Sequence, residues 1–362
     1  MASRHALLAG GGTGGHIFPA LALGAELLRR GWRVSFVGTA HGMEATLVPA
    51  RGFAFHALPA RPLLGRGALA QARALATVTR SALAARALVR REAVDVVVGT
   101  GGYASAPAVL GAWLARRPAL LFEPNAHAGR ANRWLSRFAS AAAVAFAPAA
   151  TELACATEVS GVPVRPEFFA VPEALPGAPD PAVLVLGGSQ GAQSLNRALP
   201  AAVARLAERL PGLRIVHQCG ARHLEEARAL WAAAAPRARV EVLPFVEDVA
   251  GAMAAADLVV SRAGAVTLAE ICAAGRPALL LPLGVAGGHQ IDNARVLQAA
   301  GAARLLLPEE LGPEALAAAL GALLIDRAGL AGMARAARAL ARRDAAARIA
   351  DRVEALARGT AA

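Results

Sequence analysis

The sequence predicts an α/β protein of two Rossmann-like, doubly wound domains that face each other across a cleft. Three observations carry that expectation. Short apolar runs alternate with helix-period segments along the chain, as buried parallel strands and their crossover helices do. A proline-dense stretch, Gly161–Pro181, interrupts the alternation. Glycine clusters follow apolar runs in both halves, at Gly10–Gly15 and Gly99–Gly102 before the break and at Gly187–Gly191 after it.

In chain order, His5–Ala9 is the first buried strand. A glycine loop follows, and His16 and Pro19 open an apolar-periodic helix that runs through Leu21 to Leu28. Further strands are expected at Arg33–Val37, Ala54–Leu58, Val94–Val98, Ala119–Phe122 and Ala142–Phe146. Gly161–Pro181 holds Pro163, Pro166, Pro172, Pro176, Pro179 and Pro181, a density at which no regular element is expected, so it reads as a linker. The second series comprises Ala182–Leu186, Leu213–His217, Val240–Leu243, Leu258–Val260, Ala278–Leu281 and Ala303–Leu306. The stretch from Leu316 to Leu356 has a helical pattern with Arg on its polar face.

Composition narrows the function. A chain of 362 residues suggests about two domains, and a hydrophobic content of 56% can fill both cores. The net charge is +12, and every one of the 38 basic residues is Arg. A genome-wide codon bias accounts for Arg in place of Lys, but not for the excess of positive charge. That excess favours an anionic partner: nucleic acid, an acidic membrane surface or a phosphorylated substrate. Only 4% of residues are aromatic, with Tyr103 the single tyrosine, which argues against stacking on single-stranded nucleic acid. Cys155, Cys219 and Cys272 are odd in number and far apart, so they suit neither a disulfide framework nor a zinc site and fit a reducing cytoplasm. No apolar run has the character of a membrane span, and the N-terminus reads as a strand leading into the glycine loop rather than as a signal peptide.

A glycine-rich turn between strand and helix presents bare N–H groups at a positive helix end, which suits a phosphate. A dinucleotide-binding domain would also need an acid at the end of the next strand for the ribose hydroxyls. Here that strand ends Phe36-Val37-Gly38-Thr39, and the nearest acid, Glu44, is expected on the following helix. The corresponding stretch of the second half, His217-Gln218-Cys219-Gly220, lacks an acid as well. Ser261–Glu270 is a further strand-to-helix turn. Gly264 lets the chain turn, the helix begins near Ala265, and Glu270 either accepts hydrogen bonds from a vicinal diol or complements the helix dipole. If Arg66–Arg91 is one helix, Arg66, Arg73, Arg80 and Arg91 share a stripe bordered by Leu69 and Leu83, while Leu75, Val78 and Val89 face the core. With Trp113, Arg116 and Arg117, that stripe suits anionic headgroups, or else it is a solvated face of an Arg-rich protein.

The motifs Gly-Gly-Thr-Gly-Gly-His-Ile-Phe-Pro (11–19), Gly-Gly-Tyr (101–103), Glu-Pro-Asn (123–125), Pro-Val-Arg (163–165), Gly-Gly-Ser-Gln-Gly-Ala (187–192) with Leu195-Asn196, Ser-Arg-Ala-Gly-Ala (261–265) through Glu270, and Gln290 with Asn293-Ala294 occur in this order. In that combination the chain resembles the MurG family over nearly its whole length. The resemblance implies a GT-B fold and an inverting transfer of N-acetylglucosamine from UDP-N-acetylglucosamine to the sugar 4-hydroxyl of undecaprenyl-pyrophosphoryl N-acetylmuramoyl pentapeptide (lipid I), giving lipid II for peptidoglycan. It implies an acceptor- and membrane-binding domain of residues 1–162, joined by a C-terminal helix at about 341–362, and a UDP-sugar domain of residues 163–340. The implied location is peripheral, on the cytoplasmic face of the bacterial membrane, against an anionic surface. No nucleic acid partner, cofactor or metal is implied, and the sequence offers no Asp-x-Asp pattern, its nearest approach being Asp95 inside a predicted strand.

By the same likeness, the main chain at Val246 meets the uracil, Arg165 lies nearby and Glu270 takes the ribose hydroxyls. Ser189 and the helix-end amides of Ala265, Val266, Thr267 and Leu268 hold the phosphates, with Ala269 beside them. Gln290 and Asn125 grip the N-acetylglucosamine. Thr13, Gly14, Gly15 and His16 belong to the acceptor side and border the donor sugar, and Gly101, Gly102 and Tyr103 line the acceptor pocket. His16 is the candidate general base, with phosphate donor or structural group as the alternative. Glu123 is a second candidate base or an orienting group for Asn125. Two positions depart from the family pattern: His289 stands in place of a Gln, and Ala269 in place of a small hydroxyl residue.

Overall fold

A computed structural model describes residues 3–58, 68–102, 105–173, 175, 180–188, 191–210, 212–234, 237–284 and 289–359, without the side chains of 68–76 and 207. The chain divides into two compact units, Met1–Val164 with Arg342–Ala362, and Arg165–Ala341.

The first unit holds β1 (His5–Gly10), β2 (Arg33–Gly38), β3 (Ala54–Ala57), β4 (Val96–Gly101), β5 (Ala119–Glu123), β6 (Ala141–Val144) and β7 (Ala156–Val159). They form one parallel sheet in the order β3-β2-β1-β4-β5-β6-β7. Its helices are α1 (Gly14–Arg29), α2 (Glu44–Leu47), α3 (Ala68–Arg91), α4 (Ser105–Leu114), α5 (Arg130–Leu135) and α6 (Ala147–Ala150). Period-2 alternation sorts the strands' two faces. Leu7, Val37, Val97 and Leu121 pack under α3 and α4, while Leu8 and Phe36 lie against Gly24 of α1. Leu7 and Leu8 are fully buried, and each such side chain contributes about 1.5–3 kcal/mol to folding.

The second unit opens with α7 (Pro166–Phe169) and continues β8 (Ala182–Leu186), α8 (Gln193–Ala207), β9 (Arg214–Gln218), α9 (Leu224–Ala234), β10 (Arg239–Leu243), α10 (Val249–Ala254), β11 (Leu258–Ser261), α11 (Ala265–Ala274), β12 (Ala278–Leu280), α12 (His289–Ala299), β13 (Ala303–Leu305), α13 (Pro313–Ile325) and α14 (Arg327–Leu340). Its sheet is parallel in the order β10-β9-β8-β11-β12-β13. Val183, Val185, Ile215 and Val260 share a core with Leu199 and Val203 of α8 and Leu316 and Leu320 of α13. The last helix, α15 (Ala345–Arg358), returns to the first unit, where Arg30, the C-cap residue of α1, pairs with Asp351 at 2.6 Å and Glu354 at 3.3 Å.

Three sequence expectations change. β7 has no apolar run to announce it, because as an edge strand it leaves Ala156, Thr157 and Val159 exposed. The proline-dense stretch is not wholly irregular. Pro166 sits at the first position of α7, where a missing N–H removes no helical bond. Asp95 lies just before β4 rather than within it, and its carboxylate accepts the His5 N–H at 2.9 Å.

Candidate active site

In the first unit, the carboxyl ends of β1, β4 and β5 bring the predicted acceptor-side residues together, as parallel α/β sheets do. β1 runs into Gly11, Gly12 and Thr13, and α1 begins at Gly14. Thr13 is the extended N-cap residue, and no side chain caps the helix. The amides of the first turn therefore point out of the helix end, with its positive dipole behind them. His16 stands in that turn. Its Nδ1 lies 3.0 Å from the carbonyl oxygen of Thr100, and the Thr100 hydroxyl donates back to the His16 carbonyl at 3.0 Å. A carbonyl only accepts, so Nδ1 carries the proton and Nε2 keeps its lone pair. Burial pulls the His16 pKa below its ordinary value of 6.5, against the opposing effects of the Thr100 bond and the Glu123 charge. The imidazole is neutral near pH 7.

Gly101 follows Thr100 with φ +101°, and a Cβ there would stand 2.3 Å from Nδ1 of His16. Only glycine satisfies both the backbone angle and the ring. A Cβ on Gly102 would come within 2.3 Å of the Gly11 carbonyl, so the turn after β4 rests directly on the first glycine loop. Tyr103 lies outside the described residues.

Glu123 ends β5 and is buried. Its Oε1 accepts from the backbone N–H of Asn125 at 3.0 Å and from Asn125 Nδ2 at 2.9 Å. Its Oε2 accepts from Gly129 N–H at 2.9 Å and from Asn132 Nδ2 at 2.8 Å. Both oxygens of this carboxylate are thus occupied by donors from its own unit. Of the two readings of Glu123, the structure supports the one in which it orients Asn125.

Glu44, weighed above only as a missing ribose acid, opens α2 with its carboxylate turned inward. Oε2 accepts the Gly12 N–H at 2.9 Å, and Oε1 accepts the N–H and hydroxyl of Thr39 at 2.9 and 2.7 Å. Burial raises a carboxyl pKa, but these donors outweigh it and hold Glu44 below its ordinary value.

In the second unit, β11 leads through Gly264, an extended N-cap, into α11, which has neither a side-chain cap nor an acid in its first turn. The Leu268 N–H closes the first helical bond to the Gly264 carbonyl at 3.0 Å, and its side chain is buried. Of the four predicted amides, those of Ala265, Val266 and Thr267 are the helix-end donors. Glu270 lies on the next turn of α11 with its side chain 14% exposed, and Arg165 Nη2 approaches its Oε1 to 3.5 Å. Arg165 is the N-cap residue of α7; its guanidinium stacks 4.9 Å over the Phe168 ring and meets Glu167 at 3.2 Å. Burial pushes Glu270 up to about 7 despite Arg165.

Gln290 lies in the first turn of α12, where its Oε1 accepts the Leu283 N–H at 3.0 Å. Val246 is buried after β10, and Ala269 is half-buried on α11. Ser189 lies outside the described residues, but its neighbours are held from below. Trp231 Nε1 donates to His217 Nδ1 at 3.0 Å, His217 Nε2 meets Asn196 Oδ1 at 3.0 Å, and Asn196 Nδ2 donates to the Cys219 carbonyl at 2.9 Å. The chain of donors fixes the His217 tautomer, and burial lowers its pKa to about 4, so it stays neutral. Gly191 rests on that same Cys219 carbonyl, which a Cβ would approach to 2.3 Å.

Sequence reasoning missed Thr100, Asn132 and the inward face of Glu44. Thr100 was legible only as the lone hydroxyl inside a glycine cluster, and nothing in the sequence around Asn132 marked it out. Among the described residues, no group of three or more His, Cys, Asp or Glu side chains is placed to hold a metal ion.

Residues 6–144 match the glycosyltransferase family 28 N-terminal domain, and residues 182–349 match the glycosyltransferase family 28 C-terminal domain. A protein of Halorhodospira halophila named UDP-N-acetylglucosamine–N-acetylmuramyl-(pentapeptide) pyrophosphoryl-undecaprenol N-acetylglucosamine transferase is 44% identical, over 99% of this chain and 100% of its own length. One of the same name from Anaeromyxobacter sp. is 44% identical, over 95% of this chain and 91% of its own. The crystal structure of Acinetobacter baumannii MurG superposes with a TM-score of 0.81 at 33% identity, covering 97% of this chain and 99% of that one.

Proposed function

This chain belongs to the glycosyltransferase family 28 transferases that act on N-acetylmuramyl-(pentapeptide) pyrophosphoryl-undecaprenol, and from that premise we infer how its residues divide the reaction. It is an N-acetylglucosaminyltransferase of GT-B fold, moving N-acetylglucosamine from UDP-N-acetylglucosamine to the lipid-linked muramoyl acceptor and so completing lipid II for peptidoglycan.

We propose that the second unit binds the nucleotide. Val246 meets uracil through its main chain and Glu270, steadied by Arg165, takes the ribose hydroxyls. Ser189 and the amides of Ala265, Val266 and Thr267 hold the phosphates. The observation that carries this reading is the uncapped N-terminus of α11 with Glu270 a turn beyond it. Oriented amides and a helix dipole stabilise the UDP leaving group as negative charge develops on it. The first unit presents the acceptor, whose pyrophosphate rests on Thr13, Gly14 and Gly15 beside Gly101, Gly102 and Tyr103. His16 Nε2 then takes the proton from the sugar 4-hydroxyl as its oxygen attacks the anomeric carbon and inverts it. Asn125 and Gln290 are assigned to the N-acetylglucosamine.

A lipid-linked acceptor also needs a docking face. Trp113, Leu114 and Trp134 are 52%, 36% and 45% exposed. Phe138 joins the two tryptophans, with ring centroids 5.3 and 5.1 Å away, and Arg116, Arg117, Arg133 and Arg137, close to them in sequence, are exposed. On α3, Arg80 and Arg91 are exposed, Leu83 is 50% exposed and Val89 is buried. Arg66 lies outside the described residues, as do the side chains of Leu69, Arg73 and Leu75. Exposed aromatic residues together with exposed arginines suit the anionic cytoplasmic face of a bilayer. Among the described residues no single helix is long and apolar enough to cross a membrane.

The test combines the purified protein with labelled UDP-N-acetylglucosamine and the lipid-linked acceptor in detergent. Formation of labelled lipid-linked disaccharide is the expected result. Release of the label to water alone, or an epimerised free sugar, would overturn it.

A further inference from the structure

Glu44 has no task in the reaction described above, yet its side chain is 1% exposed and its carboxylate is fully engaged. It reaches from α2 beneath the first glycine loop. Gly12 donates to one oxygen, and Thr39 donates twice to the other. Gly11 of the glycine loop, and Gly38 and Gly42 at the end of β2 and in the turn after it, close around it. A Cβ on any of them would stand within 2.4 Å of the Glu44 side chain. An apolar group would fill that space without the cost of burying charge, so a carboxylate there points to the hydrogen bonds as its purpose.

We propose that Glu44 is a positioning residue, whose carboxylate splints the glycine loop against the turn between β2 and α2 and so presets the loop for the acceptor's pyrophosphate. This rests on the assignment of that loop to the acceptor. Gly12 spends its N–H on Glu44, which holds the loop taut and leaves the following amides, at the start of α1, to the ligand. A loop already in its bound shape loses less entropy when the phosphates arrive.

The experiment compares the wild type with Glu44→Gln and Thr39→Val. It measures both KM values, kcat, thermal midpoint and deuterium exchange of the 10–16 segment. Glu44→Gln sets an amide NH2 against a backbone donor, while Thr39→Val removes a single bond. The expected result is faster exchange in 10–16 and an acceptor KM raised about tenfold by Glu44→Gln and less by Thr39→Val, with the donor KM within about twofold. A donor KM that rises instead, with the same local loosening, keeps Glu44 as the splint and overturns the acceptor assignment. Unchanged KM values overturn the inference, as does a fall in stability with exchange raised throughout the chain and no selective change in KM. Should Glu44→Gln fail to fold, the same outcomes are read from Thr39→Val.

Discussion

Two titratable groups carry the proposed chemistry at the residue scale, and their environments push them in opposite directions. His16 is pulled below 6.5 by burial, so its neutral form is available across the physiological range. As the candidate base it predicts an acid limb in kcat/KM with its midpoint below 6.5, and a fall in kcat of about 10²-fold or more for His16→Ala with a modest change in donor KM. Unchanged kcat would remove it from that role. Glu270 sits at about 7. In the folded chain it keeps a proton that the unfolded chain loses above 4.5, so its contribution to stability is present at low pH and is lost as pH rises through 7. Donor binding has the opposite sign. In the proposed assignment ribose hydroxyls donate to the ionised carboxylate, so UDP affinity should weaken below pH 7 by up to about tenfold per pH unit. Titration calorimetry with UDP checks this, and Glu270→Gln should flatten the dependence. Glu270→Ala should raise the donor KM about ten- to hundredfold, the worth of a hydrogen bond to a charged group.

The close approach of α3 and α4 decides what the first unit displays at the scale of the element. A Cβ on Gly111 would meet the Ala85 Cβ at 2.6 Å and the Arg86 backbone nitrogen at 2.8 Å. Backbone cannot yield as a flexible side chain does. Gly111→Val should therefore destabilise the fold by about 1–3 kcal/mol or more, seen as a lower thermal midpoint, and should weaken vesicle binding because α4 carries Trp113. Of the residues expected to face the core from α3, Val89 is buried and Val78 half-buried, while the side chain of Leu75 lies outside the described residues. The aromatic cluster was not legible in the sequence, since Trp113, Trp134 and Phe138 come from segments with no shared periodicity and meet only where the chain after α5 returns to α4.

The excess of arginine becomes a property of the whole molecule. With a net charge of +12, attraction to anionic lipid should be strong at low salt. Screening shortens its reach from about 10 Å at 0.1 M to about 3 Å at 1 M. Cosedimentation with anionic vesicles should fall accordingly, and charge-neutralising changes at Arg80, Arg91, Arg116 and Arg117 should lower it at fixed salt while leaving UDP binding intact. Binding that is indifferent to both would move the docking face elsewhere.

By itself the sequence determined the two parallel sheets and their crossover helices, because apolar period and glycine punctuation are local properties of the chain. Each of the twelve expected strands has its counterpart, and among the described residues only the exposed edge strand β7 was not expected. It also placed the glycine turns at the carboxyl ends of those strands. Only the tertiary structure decided what the polar side chains at those ends do. The protonated nitrogen of His16 depends on the carbonyl of Thr100, 84 residues away. The role of Glu123 depends on Asn132, and that of Glu44 on Gly12. A hydrogen bond needs its partner within about 3 Å, and which partner arrives there is settled by how the sheet brings distant segments together.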